Sequence, residues 1–165
     1  MKRLSSGILL AAITLSAWLA PAVLSRADLK TDAAGFVTLP LGDESWRQYP
    51  GISGIDVVNV YGDPAQPGVY MIRVRFHPGT TTMPHYHPND RLVTVLKGTW
   101  WAGTSDRFDP NATQPIRAGG YMMHPAGGVH FDGAKDEEVV LQIAGMGPGS
   151  TTFVHPELGP TGKSR

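Results

Sequence analysis

Two histidines separated by one residue, His85 and His87, lie in the stretch MPHYHPND. Residues two apart on a β-strand project to the same side, so both imidazoles could bind one metal ion. A third histidine, His130, follows in GGVHFDG. Neutral imidazole nitrogens suit Fe(II), Ni, Cu or Zn as divalent ions. The alternative is that the pair consists of polar residues at a loop edge, because an HxH pair is common by itself.

The elements that must position these histidines are expected to be short strands. The chain has 20 Gly and 14 Pro in 165 residues, which suits tight turns and leaves little room for long helices. Alternation in VYMIRVRFHPG predicts a half-buried strand with Tyr70, Ile72, Val74 and Phe76 on one face. Further strands are predicted in GFVTLP, residues 55–61, RLVTVLKG, TWWAG, GYMMHPAGGVHFDG, EVVLQIAGMGPG and TTFVHP. The stretch TSDRFDPNATQPIRAGG is predicted to be a loop.

Glycines and a proline recur at fixed distances from the histidines. They are Gly79, Gly98, Gly119, Pro125 and Gly127. The arrangements G-x5-H-x-H-x10-G and G-x5-P-x-G-x2-H resemble the two motifs of the cupin superfamily, over about residues 69–146. The resemblance implies an all-β, single-domain jelly-roll barrel whose lumen holds one divalent metal. It also implies that His85, His87 and His130 are the metal ligands.

One position departs from the cupin pattern. Where cupins usually supply a glutamate ligand, this chain has Arg91, whose guanidinium stays protonated and cannot coordinate a cation. Three alternatives remain: a three-histidine site similar to the three-histidine dioxygenases of the superfamily, a carboxylate from Asp90 if the strand is shifted by one residue, or a metal that is absent or weakly held. Arg91 could hold an anionic substrate beside the metal. Its other candidate partners are the carboxylates Asp90, Asp132 and Glu137.

The remaining histidines and two adjacent tryptophans also have expected roles or positions. His124 is a candidate acid or base at the cavity, because histidine titrates near neutral pH; a structural role is the alternative. His77 and His155 are expected at strand ends, in solvent. Trp100 and Trp101 are adjacent, so one is expected to face the interior and the other to face outward.

The N-terminal residues 1–27 have the pattern of a secretory signal peptide. Lys2 and Arg3 precede an apolar stretch, and small residues mark candidate cleavage points after Ala22 or, preferably, after Ala27. The alternative is an uncleaved membrane anchor. Cleavage after Ala27 removes three of the 14 basic residues and none of the 14 acidic ones, so the mature protein would be mildly acidic. The chain has no cysteine, which excludes disulfides and fits an oxidising compartment. A periplasmic or secreted protein is predicted.

The rest of the chain is predicted to form one barrel domain, residues 28–158, followed by a flexible tail, residues 159–165. No basic stripe is present, which argues against a nucleic-acid partner, and no membrane contact is expected after cleavage. A homodimer through an exposed edge strand is expected, with GFVTLP or TTFVH as the candidate edge.

The leading hypothesis for function is an exported enzyme that uses a three-histidine divalent metal on a small, anionic substrate. Dioxygenase-like and isomerase-like or lyase-like chemistry are both open, because a metal in this fold can do either. The alternative is a non-enzymatic periplasmic cupin that acts as a ligand-binding or sensor module. A structural barrel without metal is a further alternative, since a fold does not choose among functions.

Overall fold

The computed structural model describes residues 29–163. The predicted signal peptide therefore lies outside the described residues. In chain order the strands are β1 Lys30–Thr31, β2 Val37–Thr38, β3 Arg47–Gln48, β4 Ile55–Tyr61, β5 Gly68–Phe76, β6 Thr80–Thr82, β7 His85–Tyr86, β8 Arg91–Lys97, β9 Thr99–Gly103, β10 Gln114–Arg117, β11 Tyr121–His124, β12 Phe131–Gly133, β13 Val139–Gly147, β14 Thr152–Phe153 and β15 Thr161–Lys163. Helical structure in this part of the chain is a 3-10 turn at Pro156–Leu158, and none of it is long and apolar enough to span a membrane.

Two antiparallel sheets form the layers of the molecule. One contains β11, β8, β13, β5, β4 and β3 in that order, and the other contains β10, β9, β12, β6 and β15. From β5 onward the chain crosses repeatedly between the layers, which is the connectivity of a jelly roll. The predicted all-β jelly-roll fold is confirmed, in the form of a barrel-like sandwich whose sheets do not close.

The core lies between the two sheets and follows the period-two pattern of the strands. The side chains predicted to face inward from β5 are each at most 4% exposed, as the alternation requires. Val93 and Val95 of β8 are buried beside them. Trp100 is completely buried, whereas the ring of Trp101 lies beneath the Lys135 ammonium, 3.8 Å from Nζ to the ring centroid. The prediction that one tryptophan faces inward is confirmed, and Trp100 is that residue.

Two predictions about the chain's irregular segments are wrong. The predicted loop contains β10, which pairs with β9 at the edge of its sheet. Pro115 is compatible with this position because an edge strand leaves one side without ladder hydrogen bonds. The predicted flexible tail contains β15, whose residues Thr161–Lys163 pair with β6. The pairing partner lies far away in the sequence, so local composition gave no sign of it.

The predicted first strand, GFVTLP, is reduced to the two-residue β2, which pairs with β1. The segment after it covers the outer face of the six-stranded sheet. Arg73 of β5 donates hydrogen bonds to the carbonyl oxygens of Leu39 and Pro40 and forms an ion pair with Glu44. The predicted homodimer is not addressed by these contacts and stays a prediction.

Two motif glycines allow a matched test of this fold. Gly98 has φ +77°, and a Cβ there would lie 2.4 Å from the Glu138 carbonyl oxygen. Gly119 has φ +86°, with open space where a Cβ would point. Gly98→Ala is expected to cost about 3 kcal/mol of unfolding free energy, because left-handed strain of roughly 1–2 kcal/mol adds to a steric clash of roughly 1–3 kcal/mol. Gly119→Ala is expected to lose only the roughly 1–2 kcal/mol of unfolding free energy that the left-handed strain costs. Urea unfolding measures both, and equal losses would contradict the assigned clash.

Candidate metal centre

The two motifs meet through a reciprocal pair of backbone hydrogen bonds. The N–H of His85 donates to the carbonyl oxygen of His130 at 2.8 Å, and the N–H of His130 donates back to that of His85 at 2.9 Å. The N–H of Gly127, in the turn before His130, donates to the His87 carbonyl oxygen at 2.8 Å. The backbone therefore fixes all three histidines relative to one another.

The imidazoles of His85, His87 and His130 converge. One ring nitrogen from each lies within 4.8 Å of the others. Each Nδ1 is within hydrogen-bond distance of a main-chain carbonyl oxygen, at 2.9 Å to Met83 for His85, 2.8 Å to Ser150 for His87 and 2.9 Å to Gly128 for His130. A carbonyl accepts only, so Nδ1 carries the proton in each ring and Nε2 presents a lone pair. This is the usual arrangement around metal-binding histidines, where the second nitrogen donates to a fixed acceptor.

The site is buried, and burial keeps its imidazoles neutral. His85, His87, His124 and His130 are each at most 4% exposed. Burial lowers the pKa of His85 to about 4, although the Asp132 carboxylate opposes this. Burial, reinforced by the Arg91 guanidinium, lowers the pKa of His87 to about 2. The pKa values of His124 and His130 are also lowered by burial. Neutral rings are the protonation state that metal binding requires.

Arg91 lies against the cluster and contacts His87. Its Nη1 donates to His87 Nε2 at 2.6 Å. Within residues 29–163, no ion pair joins Arg91 to Asp90, Asp132 or Glu137, so the predicted carboxylate partners are not used. A guanidinium thus occupies the side of the cluster where the cupin pattern expects a carboxylate.

Asp90 does not join the cluster. Its Oδ1 accepts a hydrogen bond from the N–H of Ala126 at 2.7 Å, and it belongs to neither candidate ligand group among the described residues. Asp90 therefore ties the start of β8 to the turn before His130. The alternative in which Asp90 replaces the missing glutamate ligand is wrong in this arrangement.

His124 and Asp132 join His130 in a second candidate ligand group, whose atoms also lie within 4.8 Å of one another. His124 was predicted at the cavity, and its ring centroid lies 3.6 Å from that of His130. From the sequence, Asp132 was a candidate partner for Arg91, and its place beside the histidine cluster was not predicted. Its position two residues after His130 on a strand was the available signal, because such residues share a face.

Two cavities meet at the cluster. An inner cavity of about 50 Å³ lies in the barrel interior, lined on one side by Thr82, His85, His124 and Asp132. An outer cavity of about 240 Å³ leads away from it. The residues that line both cavities are Tyr49, His87, Arg91 and Thr151. Arg91 and His87 therefore lie at the boundary between the histidine cluster and the outer cavity.

The other two histidines lie outside the cluster. The His77 side chain is 49% exposed and lies 2.8 Å from Asp56, measured from Nε2 to Oδ2. The His155 side chain is 45% exposed and lies 3.5 Å from Glu157. Both are partly in solvent, as expected from their positions at strand ends.

A family model described as Cupin matches residues 50–154. Germin-like protein subfamily 3 member 2 from Arabidopsis thaliana is 30% identical over 98 residues, which cover 59% of this chain and 37% of the relative. Oxalate oxidase GF-2.8 from Triticum aestivum is 33% identical over 89 residues, which cover 50% of this chain and 40% of the relative. The chain thus spans about two fifths of the length of these curated relatives.

Solved structures show the same fold. The DMSP lyase DddQ from Ruegeria pomeroyi DSS-3 superposes with a TM-score of 0.56 at 18% identity, covering 68% of this chain and 61% of that chain. At this identity the likeness establishes the arrangement of strands and leaves the chemistry to the residues of each site.

The lowered histidine pKa values give an acid-sensitive fold. An unfolded histidine binds a proton with a pKa of 6.5, whereas His85 in the fold does so at about 4. The unfolded state therefore binds more protons between these values. The free energy of unfolding that depends on neutral histidines is therefore fully present above about pH 6.5. Below that pH it falls by about 1.4 kcal/mol per pH unit for each such histidine, until the pKa of the folded state is reached.

Urea unfolding of the protein in EDTA, at about pH 7 and about pH 5, measures this loss. Glutamine does not titrate, so His85→Gln is expected to reduce the change in unfolding free energy per pH unit by the amount that one proton contributes, about 1.4 kcal/mol. Equal stability of the unsubstituted protein at the two pH values would contradict the assigned pKa shifts.

Proposed function

This chain belongs to the cupin family, and on that premise we propose that it is an exported enzyme that uses a divalent transition metal to transform a small, anionic substrate. The observation that carries the proposal is the convergence of one ring nitrogen from each of three buried imidazoles, beside the Arg91 guanidinium. Export rests on the signal-peptide pattern of residues 1–27.

The donor set fits such a metal. His85, His87 and His130 would hold it through Nε2, because each Nδ1–H is already committed to a main-chain carbonyl. The Nε2 of His130 is buried and has no hydrogen-bond partner among the described residues, as expected of a ligand atom. A metal bound there would supply Lewis acidity and, if it is Fe(II), Ni or Cu, redox chemistry.

Arg91 gives the cavity its preference for an anion. Its guanidinium is a fork of donors that matches a carboxylate, and it lies where the inner and outer cavities meet. Its hydrogen bond to His87 uses the lone pair that a ligand nitrogen needs. Arg91 therefore gives up this bond when His87 serves as a ligand, and its donors are then free to bind and orient an acid.

The size of the cavities limits the substrate. The inner cavity of about 50 Å³ is much smaller than the outer cavity of about 240 Å³. A carboxylate end can enter it, while the rest of a small molecule stays in the outer cavity. Relatives named oxalate oxidase support a small organic acid as the substrate class. Metal-dependent oxygen consumption with the acid would support an oxidase or oxygenase, and conversion without oxygen would support a lyase or isomerase.

The metal content of the protein is the direct test. Purified protein is expected to carry about one equivalent of metal, measured by mass spectrometry, and His87→Ala is expected to lose it because a ligand nitrogen is removed. His77→Ala serves as the control, since it removes a histidine that lies outside the cluster. No metal in any of the three, even after reconstitution with Fe(II), Ni, Cu or Zn, would overturn the enzyme proposal and leave a ligand-binding or sensor module.

Arg91→Met tests the anion preference. The variant keeps an unbranched side chain and removes the guanidinium donors, so oxalate is expected to bind the metal-loaded protein roughly 10- to 100-fold more weakly, as the loss of charge-assisted hydrogen bonds predicts. Calorimetry measures the affinity. Arg91→Lys keeps the charge without the planar fork, so its affinity for oxalate is expected to lie between those of the unsubstituted protein and Arg91→Met. Unchanged affinity in Arg91→Met would show that Arg91 does not bind the acid.

A further inference from the structure

His124 is a buried histidine whose polar atoms have no partner. It is 3% exposed, and neither Nδ1 nor Nε2 has a hydrogen-bond partner among the described residues. The ring packs against His130 at 3.6 Å and lies 5.7 Å from Trp100, measured between centroids. Leaving a buried polar group unsatisfied costs roughly 1–3 kcal/mol. A purely structural residue at this position would gain from being apolar, so the imidazole itself calls for a function.

Asp132 places a buried carboxylate at the same point. It is 5% exposed, and its Oδ1 accepts a hydrogen bond from the Thr82 hydroxyl at 3.0 Å. Its Oδ2 lies 3.9 Å from His130 Nε2. Arg91 does not neutralise it, because no ion pair joins the two in the described part of the chain. A buried carboxylate without a cation is costly, and Oδ2 is directed to the side of the histidine cluster.

We propose that Asp132 and His124 are ligands of the same divalent ion as His130, with Asp132 supplying the carboxylate that position 91 lacks. This inference rests on the proposed function and deepens it by naming two further ligands. The ligand atoms of His124, His130 and Asp132 lie within 4.8 Å of one another, so small side-chain shifts bring them into one coordination sphere. Imidazole nitrogens and a carboxylate oxygen are both donors that divalent transition metals accept in proteins.

Charge balance favours this arrangement. Three neutral histidines leave the two positive charges of the ion uncompensated, and Arg91 adds a third on the same side of the barrel. Burying that much charge is unfavourable. Asp132 reduces it from within the inner cavity, and Thr82 holds the carboxylate in place. Compared with the cupin pattern, the acidic side chain is thus at a different position in this chain. Arg91 occupies the position of the usual glutamate, and the carboxylate of Asp132 is on β12.

Two substitutions test the ligand set in the purified protein. Asp132→Asn keeps the shape and the hydrogen bond from Thr82 but removes the charge. It is expected to weaken Co(II) and Zn(II) affinity by at least about 100-fold, since even partners of ligands contribute about 10- to 100-fold. His124→Gln is expected to weaken it by at least about 10-fold. Asp136→Asn, at an exposed position, and His155→Ala, at a partly exposed one, are matched controls and are expected to bind as the unsubstituted protein does.

Competition titration measures affinity, and the visible absorption spectrum of bound Co(II) reports the ligands independently of activity. Asp132→Asn is expected to change that spectrum. Circular dichroism of the metal-free variants establishes that each is folded. If Asp132→Asn does not fold, Asp132→Ser, which also removes the carboxylate, and His124→Gln decide, and unchanged affinity and spectrum in both would overturn the inference.

Failure of the inference is distinct from failure of the proposed function. If the unsubstituted protein binds metal, His87→Ala loses it, and Asp132→Asn and His124→Gln retain it with an unchanged spectrum, the three-histidine site stands and the two added ligands are wrong. If the unsubstituted protein binds no metal, the proposed function itself fails, and the inference fails with it.

Discussion

The site depends on one reciprocal pair of backbone hydrogen bonds, between His85 and His130. This pair joins two segments that are far apart in the sequence, and the closing of such a long loop must be offset by contacts elsewhere. The packed sheets provide those contacts, and within the six-stranded sheet β13 pairs with both β5 and β8. Once the pair is formed, the turn that precedes His130 also fixes His87 through Gly127. The geometry of the imidazoles is therefore a property of the whole barrel.

Charge is distributed unevenly inside this barrel. The imidazoles are neutral because burial disfavours their protonated form. Two side chains of opposite charge type lie near them: Arg91 lies at the boundary between the cavities, and Asp132 lies in the inner cavity. A small acid that approaches from the outer cavity meets the positive charge first. The negative charge lies further inside, where it favours a cation. The interior is thus polarised along the path that a substrate would follow.

The sequence predicted the features that depend on local spacing. Alternation predicted the inward face of β5, and the motif pattern predicted the jelly roll and the convergence of the three histidines. Features that depend on which distant strands become neighbours were missed, as β10 and β15 show. The same limitation applies to the site: Arg91 was assigned carboxylate partners, but the fold places its guanidinium on His87. Asp132 could have been included, since period two puts it on the same side as His130.

His85, His87 and His130 are oriented by main-chain carbonyl oxygens of Met83, Ser150 and Gly128. Every amino acid carries such an oxygen, so replacement of the side chain at Met83 or Ser150 leaves the acceptor in place. Many proteins orient metal-binding histidines with carboxylates, which a single substitution can remove. Here mutation can change the walls of the cavity without disturbing the tautomers of the rings. Such a barrel can change the shape of its cavity in evolution while the orientation of its three histidines stays constant.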